Sequence, residues 1–90
     1  MKLTKERAEQ LVREQGETIT IPDDVDVVDI ETFEGCKVVR QVIFTKCVKE
    51  IKPGAFGDCE NLERVDIYNP DVTLSLSAFT NHNKIYVYGD

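Results

Sequence analysis

Three side chains that can bind a metal ion recur at one interval. Cys36, Cys59 and His82 follow one another at a constant 23-residue interval. Tetrahedral zinc, bound about 2.3 Å from sulfur, needs ligands within roughly 4 Å of one another. Stacked coils of chain hold equivalent side chains about 5 Å apart, and the sequence contains neither a fourth ligand in phase nor a C-x-x-C motif. We therefore expect no metal and no cofactor. Cys36 and Cys59 are interpreted as buried thiols, with a disulfide between them as the alternative.

The hydroxyl and imidazole side chains also give no catalytic signature. His82 is the only histidine of the sequence, and Ser75 and Ser77 precede it on the same late segment. A nucleophilic serine is typically presented on a sharp G-x-S-x-G turn, which neither serine has. The glycine-rich phosphate-binding motifs are also absent from the sequence. We predict that the protein is not an enzyme.

The elements that position these side chains follow the same 23-residue period. Phe33, Phe56 and Phe79 form one apolar column at this spacing. Four further columns keep the register: Val39, Leu62 and Ile85; Ile19, Val42 and Val65; Ile21, Phe44 and Ile67; and Val28, Ile51 and Leu74. A single coil cannot bury its apolar edge, whereas stacked coils can. The period therefore predicts a solenoid with a parallel sheet along one side.

Residues that tolerate a left-handed backbone support this register. Gly35, Asp58 and Asn81 each stand one position before the Cys36, Cys59 and His82 column. Glycine, asparagine and aspartate are the residues that adopt a positive φ most readily. We therefore expect a tight turn at the same place in each coil.

The repeated segments resemble a known family. Residues 30–36, Ile-Glu-Thr-Phe-Glu-Gly-Cys, and residues 51–59, Ile-Lys-Pro-Gly-Ala-Phe-Gly-Asp-Cys, are similar to the I-x-x-x-A-F-x-x-C repeat of BspA-like leucine-rich repeats. Residues 19–22, Ile-Thr-Ile-Pro, resemble the I-x-I-P strand end of the same family. The resemblance covers roughly residues 17–90 and implies adhesion or protein binding.

The predicted fold is an α/β repeat with two parts. Residues 1–16 form an N-terminal capping helix, with Thr4 as N-cap and Gly16 as the stop. Residues 17–90 form a short leucine-rich-repeat solenoid of about three 23-residue coils, the last of them truncated. The period weakens there, because Val25 and Val48 are followed by Asp71, with Val72 one position late.

A solenoid of this kind usually binds through the exposed side chains of its strands. We expect a non-catalytic protein–protein interaction module whose partner contacts this strand-lined face. Arginine, tyrosine and isoleucine in outward positions are suitable interface anchors. The predicted partner-binding residues are Gln41, Ile43, Thr45, Arg64, Asp66 and Tyr68.

The distribution of charged residues along the sequence suggests one alternative function. The 17 acidic and 11 basic residues give a net charge of −6, which argues against binding nucleic acid. Several opposite charges share the 23-residue spacing and are expected to pair between coils, including Glu17 with Arg40 and Asp29 with Lys52. Asp24, Glu31 and Glu34 remain unpaired in that scheme. They suggest a small acidic intracellular inhibitor that blocks a nucleic-acid-binding protein or an enzyme.

The first and last segments of the sequence lead to predictions about oligomeric state and location. The final predicted strand, Lys84 to Tyr88, leaves one edge exposed, and a homodimer through this edge is a second hypothesis. No apolar segment reaches the roughly 20 residues needed to cross a bilayer. The first residues lack the apolar region of a signal peptide. These features predict a cytoplasmic protein that does not interact with membranes.

Overall fold

The computed structural model describes residues 1–30, 32–75 and 84–88, and these form one helix and eight strands in two parallel sheets. The elements are β1 (Lys2–Leu3), α1 (Lys5–Gln15), β2 (Thr18–Thr20), β3 (Val27–Val28), β4 (Gln41–Phe44), β5 (Glu50–Ile51), β6 (Arg64–Ile67), β7 (Thr73–Leu74) and β8 (Lys84–Val87). Strands β2, β4, β6 and β8 form the long sheet, and β1, β3, β5 and β7 form the short sheet. The predicted solenoid is confirmed, with a second sheet where only one was expected.

The 23-residue period is the register of both sheets over most of the chain. In the long sheet Val42 lies between Ile19 and Val65. In the short sheet Ile51 lies between Val28 and Leu74. The short sheet forms because each coil turns back after its long-sheet strand, and the returning segments also stack in parallel. Each of the three coils that contain β2 to β7 therefore contributes one strand to each sheet.

The last strand departs from this period. Lys84 lies opposite Arg64 and Ile85 lies opposite Val65, so a 20-residue offset replaces the 23-residue one. The prediction that Ile85 continues the column of Val39 and Leu62 is therefore wrong. The reason is the alternation of side chains in β8, because a strand takes the register that turns its aliphatic residues toward the core. The 20-residue offset places Ile85 and Val87 beside Val65 and Ile67.

The core is a stack of equivalent side chains from successive coils. The Phe33 and Phe56 rings stack with centroids 4.7 Å apart and an interplanar angle of 6°. The Phe44 ring meets Phe56 edge-on, with centroids 5.8 Å apart. Val42 and Val65 are fully buried between the sheets. Phe79, predicted to extend the phenylalanine column, lies outside the described residues.

The first coil is closed by the helix. The Thr4 hydroxyl accepts a hydrogen bond from the Arg7 N–H at 3.4 Å, which makes Thr4 the N-cap. Gly16 ends the helix at φ 76°, and its N–H donates to the Val12 carbonyl. Ala8 and Leu11 are buried in the core. The helix therefore covers residues 5–15 of the predicted capping segment, while Lys2–Leu3 form an edge strand of the short sheet beside β3.

A glutamine side chain closes the edge of β2. The Thr20 N–H donates to the Gln15 Oε1 atom at 2.8 Å, and the Gln15 Nε2 atom donates to the Thr20 carbonyl at 3.2 Å. The amide of Gln15 thus takes the place that a further strand would occupy. Such coverage protects an edge that would otherwise pair with another chain.

The predicted turn residues adopt the expected backbone. Gly35 has φ 72° and Asp58 has φ 56°, both in the left-handed region. The Gly35 N–H donates to the Gly57 carbonyl at 2.8 Å, which ties equivalent turns of adjacent coils together. Asn81, the third residue of this series, lies outside the described residues.

Candidate functional site

The outward side chains of the long sheet form two rows on its solvent face. Side chains alternate between the two faces of a strand, so the residues between the buried positions point outward. One row contains Thr20, Ile43, Asp66 and Tyr86, and the other contains Thr18, Gln41, Arg64 and Lys84. The sheet therefore brings Gln41, Ile43, Arg64 and Asp66 together, as the sequence predicts.

Asp66 lies at the centre of this face, although it is only 3% exposed. The Gln41 Nε2 atom donates to Asp66 Oδ2 at 2.6 Å, and the Tyr88 hydroxyl donates to Asp66 Oδ1 at 2.8 Å. The Arg64 guanidinium reaches the same carboxylate through Nε and Nη2, each at 3.1 Å to its nearest oxygen. A buried carboxylate is tolerated when it is paired and hydrogen-bonded in this way. Asp66 is predicted to contact a partner; in the structure its carboxylate also holds the neighbouring Gln41, Arg64 and Tyr88 side chains in place.

These hydrogen bonds keep the Asp66 carboxyl ionised. Burial by itself raises the pKa of a carboxyl group, but the donors Arg64, Gln41 and Tyr88 outweigh it, and the pKa of Asp66 lies below its usual value. The bonds to Asp66 raise the pKa of Arg64 and the pKa of Tyr88. All three groups therefore remain in the protonation states that sustain the network at neutral pH.

Aromatic rings surround the network on the solvent side. The Tyr68 and Tyr88 rings stack with centroids 4.7 Å apart and an interplanar angle of 16°. The Arg64 guanidinium carbon lies 4.6 Å from the centroid of the Tyr86 ring, a distance typical of a cation–π contact. Tyr68 is 40% exposed and Tyr86 is 41% exposed. We call Arg64, Tyr68, Tyr86 and Tyr88 the arginine–tyrosine cluster.

The remaining predicted contact residues border this cluster. Gln41 and Ile43 are half-buried. Thr45 is half-buried as well, and its Oγ1 atom is buried without a hydrogen-bond partner among the described residues. An unpartnered hydroxyl at the rim of an exposed surface can accept or donate a bond to a bound molecule.

Two residues of the cluster were missed by the sequence-based prediction. A constant 23-residue offset would place Tyr86 beside Glu63 and would turn Tyr88 inward beside Val65. The observed 20-residue offset places Tyr86 opposite Asp66. The alternation of Ile85 and Val87 with tyrosines was the available signal, because it predicts that the tyrosines point outward.

One residue of the alternative acidic patch, Asp24, is paired with the helix. Asp24 accepts two hydrogen bonds from the Arg7 guanidinium, both at 2.8 Å, and these bonds lower its pKa. The expectation that Asp24 is unpaired is therefore wrong. The sequence period could not reveal this contact, because Arg7 belongs to the helix and not to a coil. Glu34 is exposed, and Glu31 lies outside the described residues.

Other charges pair between adjacent coils. The Arg40 guanidinium lies 3.9 Å from the Glu17 carboxylate, and the Lys52 amine lies 4.0 Å from Asp29. Both contacts were predicted from the 23-residue spacing. Asp26 accepts a 2.6 Å hydrogen bond from the amino group of Met1. The acidic residues of the first full coil are thus bound partly by the N-terminal segment.

The three cysteines form no disulfide and differ in burial. Cys59 is buried and donates a hydrogen bond to the Phe33 carbonyl at 2.9 Å, and burial raises its pKa to about 11. Cys36 is half-buried and Cys47 is exposed. In the described part of the chain, no three His, Cys, Asp or Glu side chains are grouped so that they could hold a metal ion. His82 lies outside that part.

An open groove of about 240 Å³ runs between α1 and the turn at residues 32–36. Ala8, Val12, Phe33 and Cys36 line it, and charged side chains such as Lys5 border it. Its lining is mostly apolar and belongs to the seam where the helix packs on the first coils.

In the described residues no helix is both long and apolar enough to cross a membrane.

The stacked coils and their two parallel sheets define a leucine-rich-repeat solenoid. A family model described as "BspA type Leucine rich repeat region (6 copies)" matches residues 13–88. The chain therefore belongs to the BspA-type leucine-rich repeat family, whose repeats generally serve as non-catalytic scaffolds for protein binding. No curated protein and no solved structure gives a significant match to the chain.

Proposed function

We propose that the protein is an interaction module that binds a protein partner through the outward face of the long sheet. The arginine–tyrosine cluster is the centre of this face. The observation that carries the proposal is the fixed geometry of exposed anchor residues around a buried carboxylate. Arg64 is held against Asp66 and Tyr86, and Tyr68 is held against Tyr88.

The residue types of the cluster favour this role. Tyrosine and arginine are enriched among the residues that dominate binding energy at protein interfaces. Immobilising a flexible side chain on binding costs roughly 0.5–1.5 kcal/mol. Arg64 avoids much of that cost, because Asp66 and Tyr88 already fix its guanidinium in the free protein. The cluster is therefore preorganised for contact.

The charge of the cluster indicates the kind of contact. Asp66 neutralises Arg64 within the network, so the cluster offers aromatic surface rather than an unpaired charge. Lys84, in the adjacent position of β8, is exposed and basic. We infer that the partner packs apolar or aromatic side chains against the tyrosines, with an acidic group placed near Lys84.

Partner capture followed by a binding measurement tests the proposal. A protein captured from the native lysate is identified by mass spectrometry and titrated with purified variants in a calorimeter. Tyr68→Ala and Tyr86→Ala are expected to weaken binding at least about tenfold each, since anchor residues contribute more than about 1.4 kcal/mol. Val38→Ala is the matched control, because Val38 is 50% exposed and lies outside the cluster. Unchanged affinity in both tyrosine variants would overturn the proposal.

Charge reversal separates this proposal from the acidic-inhibitor alternative. Under that alternative, Glu34→Lys or Glu31→Lys abolishes binding, while the tyrosine variants retain it. Under our proposal the tyrosine variants lose binding, and both charge reversals retain it. Asp24 is less informative for this comparison, because its reversal also breaks the contact with Arg7.

A further inference from the structure

The two outer strands of the long sheet, β2 and β8, differ in how they are covered. At the start of the stack, α1 covers the core with Ala8 and Leu11, and Gln15 occupies both backbone groups of Thr20 on the edge of β2. A strand from another molecule has no free hydrogen-bonding groups at Thr20 with which to pair. This end is therefore closed to strand addition at the centre of the long sheet's edge.

The other end exposes the apolar side of β8. Ile85 is 41% exposed and Val87 is 53% exposed, whereas their partners in the preceding coil, Val65 and Ile67, are fully buried. On its covered side β8 bonds to the previous coil, where the Tyr88 N–H donates to the Ile67 carbonyl at 2.8 Å. In the described part of the chain β8 is the last strand of the long sheet. Among the described residues, its inward-facing side chains therefore have a neighbouring strand on one side only.

We propose that β8 pairs antiparallel with β8 of a second copy of this chain, across a two-fold axis through Tyr86. The alternation of β8 determines the register. Registers displaced by one position would place an inward side chain opposite an outward one. An axis through Tyr86 instead sets Ile85 opposite Val87 of the second copy on the core side. It keeps every residue from Lys84 to Tyr88 paired.

The side chains of β8 are complementary to themselves in this arrangement. Lys84 is the only charged residue of the strand, and the axis places it opposite Tyr88 of the second copy rather than opposite the second Lys84. The basic group therefore meets an aromatic ring, which is a favourable contact. Such self-complementarity is the requirement of a two-fold interface, and it is met although each chain has a net charge of −6.

The closed start of the stack excludes the competing mode of self-association. Head-to-tail stacking would require β8 to pair with β2 of the next molecule, where α1 and Gln15 already lie. Pairing through β8 would leave β2 of each copy, already covered at Thr20, as the outer strand of the joined long sheet, so this mode of association is expected to stop at two chains. The tyrosines of both copies would lie on one face of a continuous eight-stranded sheet.

Sedimentation equilibrium over a range of protein concentrations tests the pairing. The wild-type protein is expected to show a reversible monomer–dimer equilibrium. Ile85→Lys combined with Val87→Lys should raise the dimer dissociation constant at least about tenfold, because two charges would enter the apolar junction. Val38→Lys is the control, since it adds the same charge at a side chain that is 50% exposed outside β8. Circular dichroism verifies that each variant is folded.

Cross-linking tests the symmetry directly. In a Cys47→Ser background, Tyr86→Cys places two thiols opposite each other on the axis, within the Cα separation of about 4.4–6.8 Å that a disulfide requires. Oxidation with a glutathione buffer should yield a disulfide-linked dimer, while Lys84→Cys, displaced from the axis, should yield none. A monomer at every concentration, a dimer unaffected by the lysine pair, or larger assemblies would each overturn the proposal.

These outcomes are independent of the proposed binding face. Ile85 and Val87 lie on the core side of β8, so their substitution leaves Arg64, Tyr68 and Tyr86 in place on the opposite face. A variant that is monomeric but still binds the protein partner would separate the two proposals. A dimer that fails to bind any partner would separate them in the other direction.

Discussion

Asp66 is the residue on which the candidate site depends. It is the one described acidic side chain that is buried on the solvent face of the sheet, and it accepts hydrogen bonds from residues of three coils, Gln41, Arg64 and Tyr88. A neutral side chain at this position would leave some of these donors unpaired. The carboxylate thus acts as a positioning group for the exposed arginine and tyrosines.

Replacing Asp66 should weaken the fold in a pH-dependent manner. Asp66→Asn is expected to lower the free energy of unfolding by about 1–2 kcal/mol at pH 7, because hydrogen bonds to a charged group are lost. The pKa of Asp66 is depressed in the folded protein. Its stabilisation is therefore fully present above its ordinary pKa of about 4 and is lost as the pH falls through the lower, folded value.

Urea denaturation at pH 7 and in increasingly acidic buffers measures this effect. The difference between the wild-type protein and Asp66→Asn should shrink toward acidic pH. Asp71→Asn is the control, because Asp71 is exposed. A difference that stays constant, or grows on acidification, would contradict the assigned role of Asp66.

For single residues, the sequence predicted the positions on the strands better than the burial and contacts of the side chains. The 23-residue spacing correctly placed Gln41, Arg64 and Asp66 on adjacent strands. The hydrogen bond from Tyr88 to Asp66 could not be predicted, because it follows from the changed offset of the last strand. The contact between Arg7 and Asp24 was also missed, since no periodicity links a helix to a coil.

Among the elements, α1 covers one edge of the long sheet, whereas β8 leaves the other edge exposed. The helix combines a buried face with the Gln15 amide, which replaces a missing strand at Thr20. The strand β8 leaves its aliphatic residues exposed. The bounds of the helix could be predicted from Thr4 and Gly16, whereas the short edge strand β1 spans too few positions to produce a pattern.

Removing the Gln15 side chain should loosen the start of the sheet. Gln15→Ala deletes two hydrogen bonds to Thr20 and is expected to cost about 1–2 kcal/mol of unfolding free energy. Hydrogen exchange at Thr20 should accelerate, because its N–H loses the acceptor. Gln10→Ala is the matched control, since Gln10 is exposed on the same helix. Equal stability of the two variants would show that Gln15 contributes no edge protection.

For the molecule as a whole, stability arises from contacts between successive coils. Phe56 is 1% exposed and packs against Phe33 and Phe44, so it joins two coils of the core. Domains of this length are stabilised by only about 5–13 kcal/mol in total. A single central side chain therefore accounts for a large part of the net stability.

Truncating Phe56 should bring the protein close to unfolding. Phe56→Ala is expected to cost about 3–5 kcal/mol, as is typical of phenylalanine deletions in packed cores. Ile30→Ala, at a side chain that is 56% exposed, should change stability by less than about 1 kcal/mol. The midpoint of urea unfolding measures both variants. A small effect for Phe56→Ala would indicate that the coils are not packed as one core.

The architecture was more predictable than the site because it rests on many equivalent residues. Each apolar column repeats the same information, so one irregular member, such as Asp71, does not obscure the period. The site instead depends on the last strand, where a 20-residue offset replaces the 23-residue one. This single local departure places two tyrosines on the outward face of the long sheet, and only the alternation within β8 indicated it.

The constant register between the middle coils has a consequence for the length of the protein. Residues 39–61 form a complete unit whose strands meet equivalent neighbours on both sides. A duplicated unit inserted after residue 61 would find the same apolar ladder above and below it. The array could therefore be lengthened by gene duplication without a new core having to evolve, and each added unit would widen the strand-lined surface by about 4.8 Å.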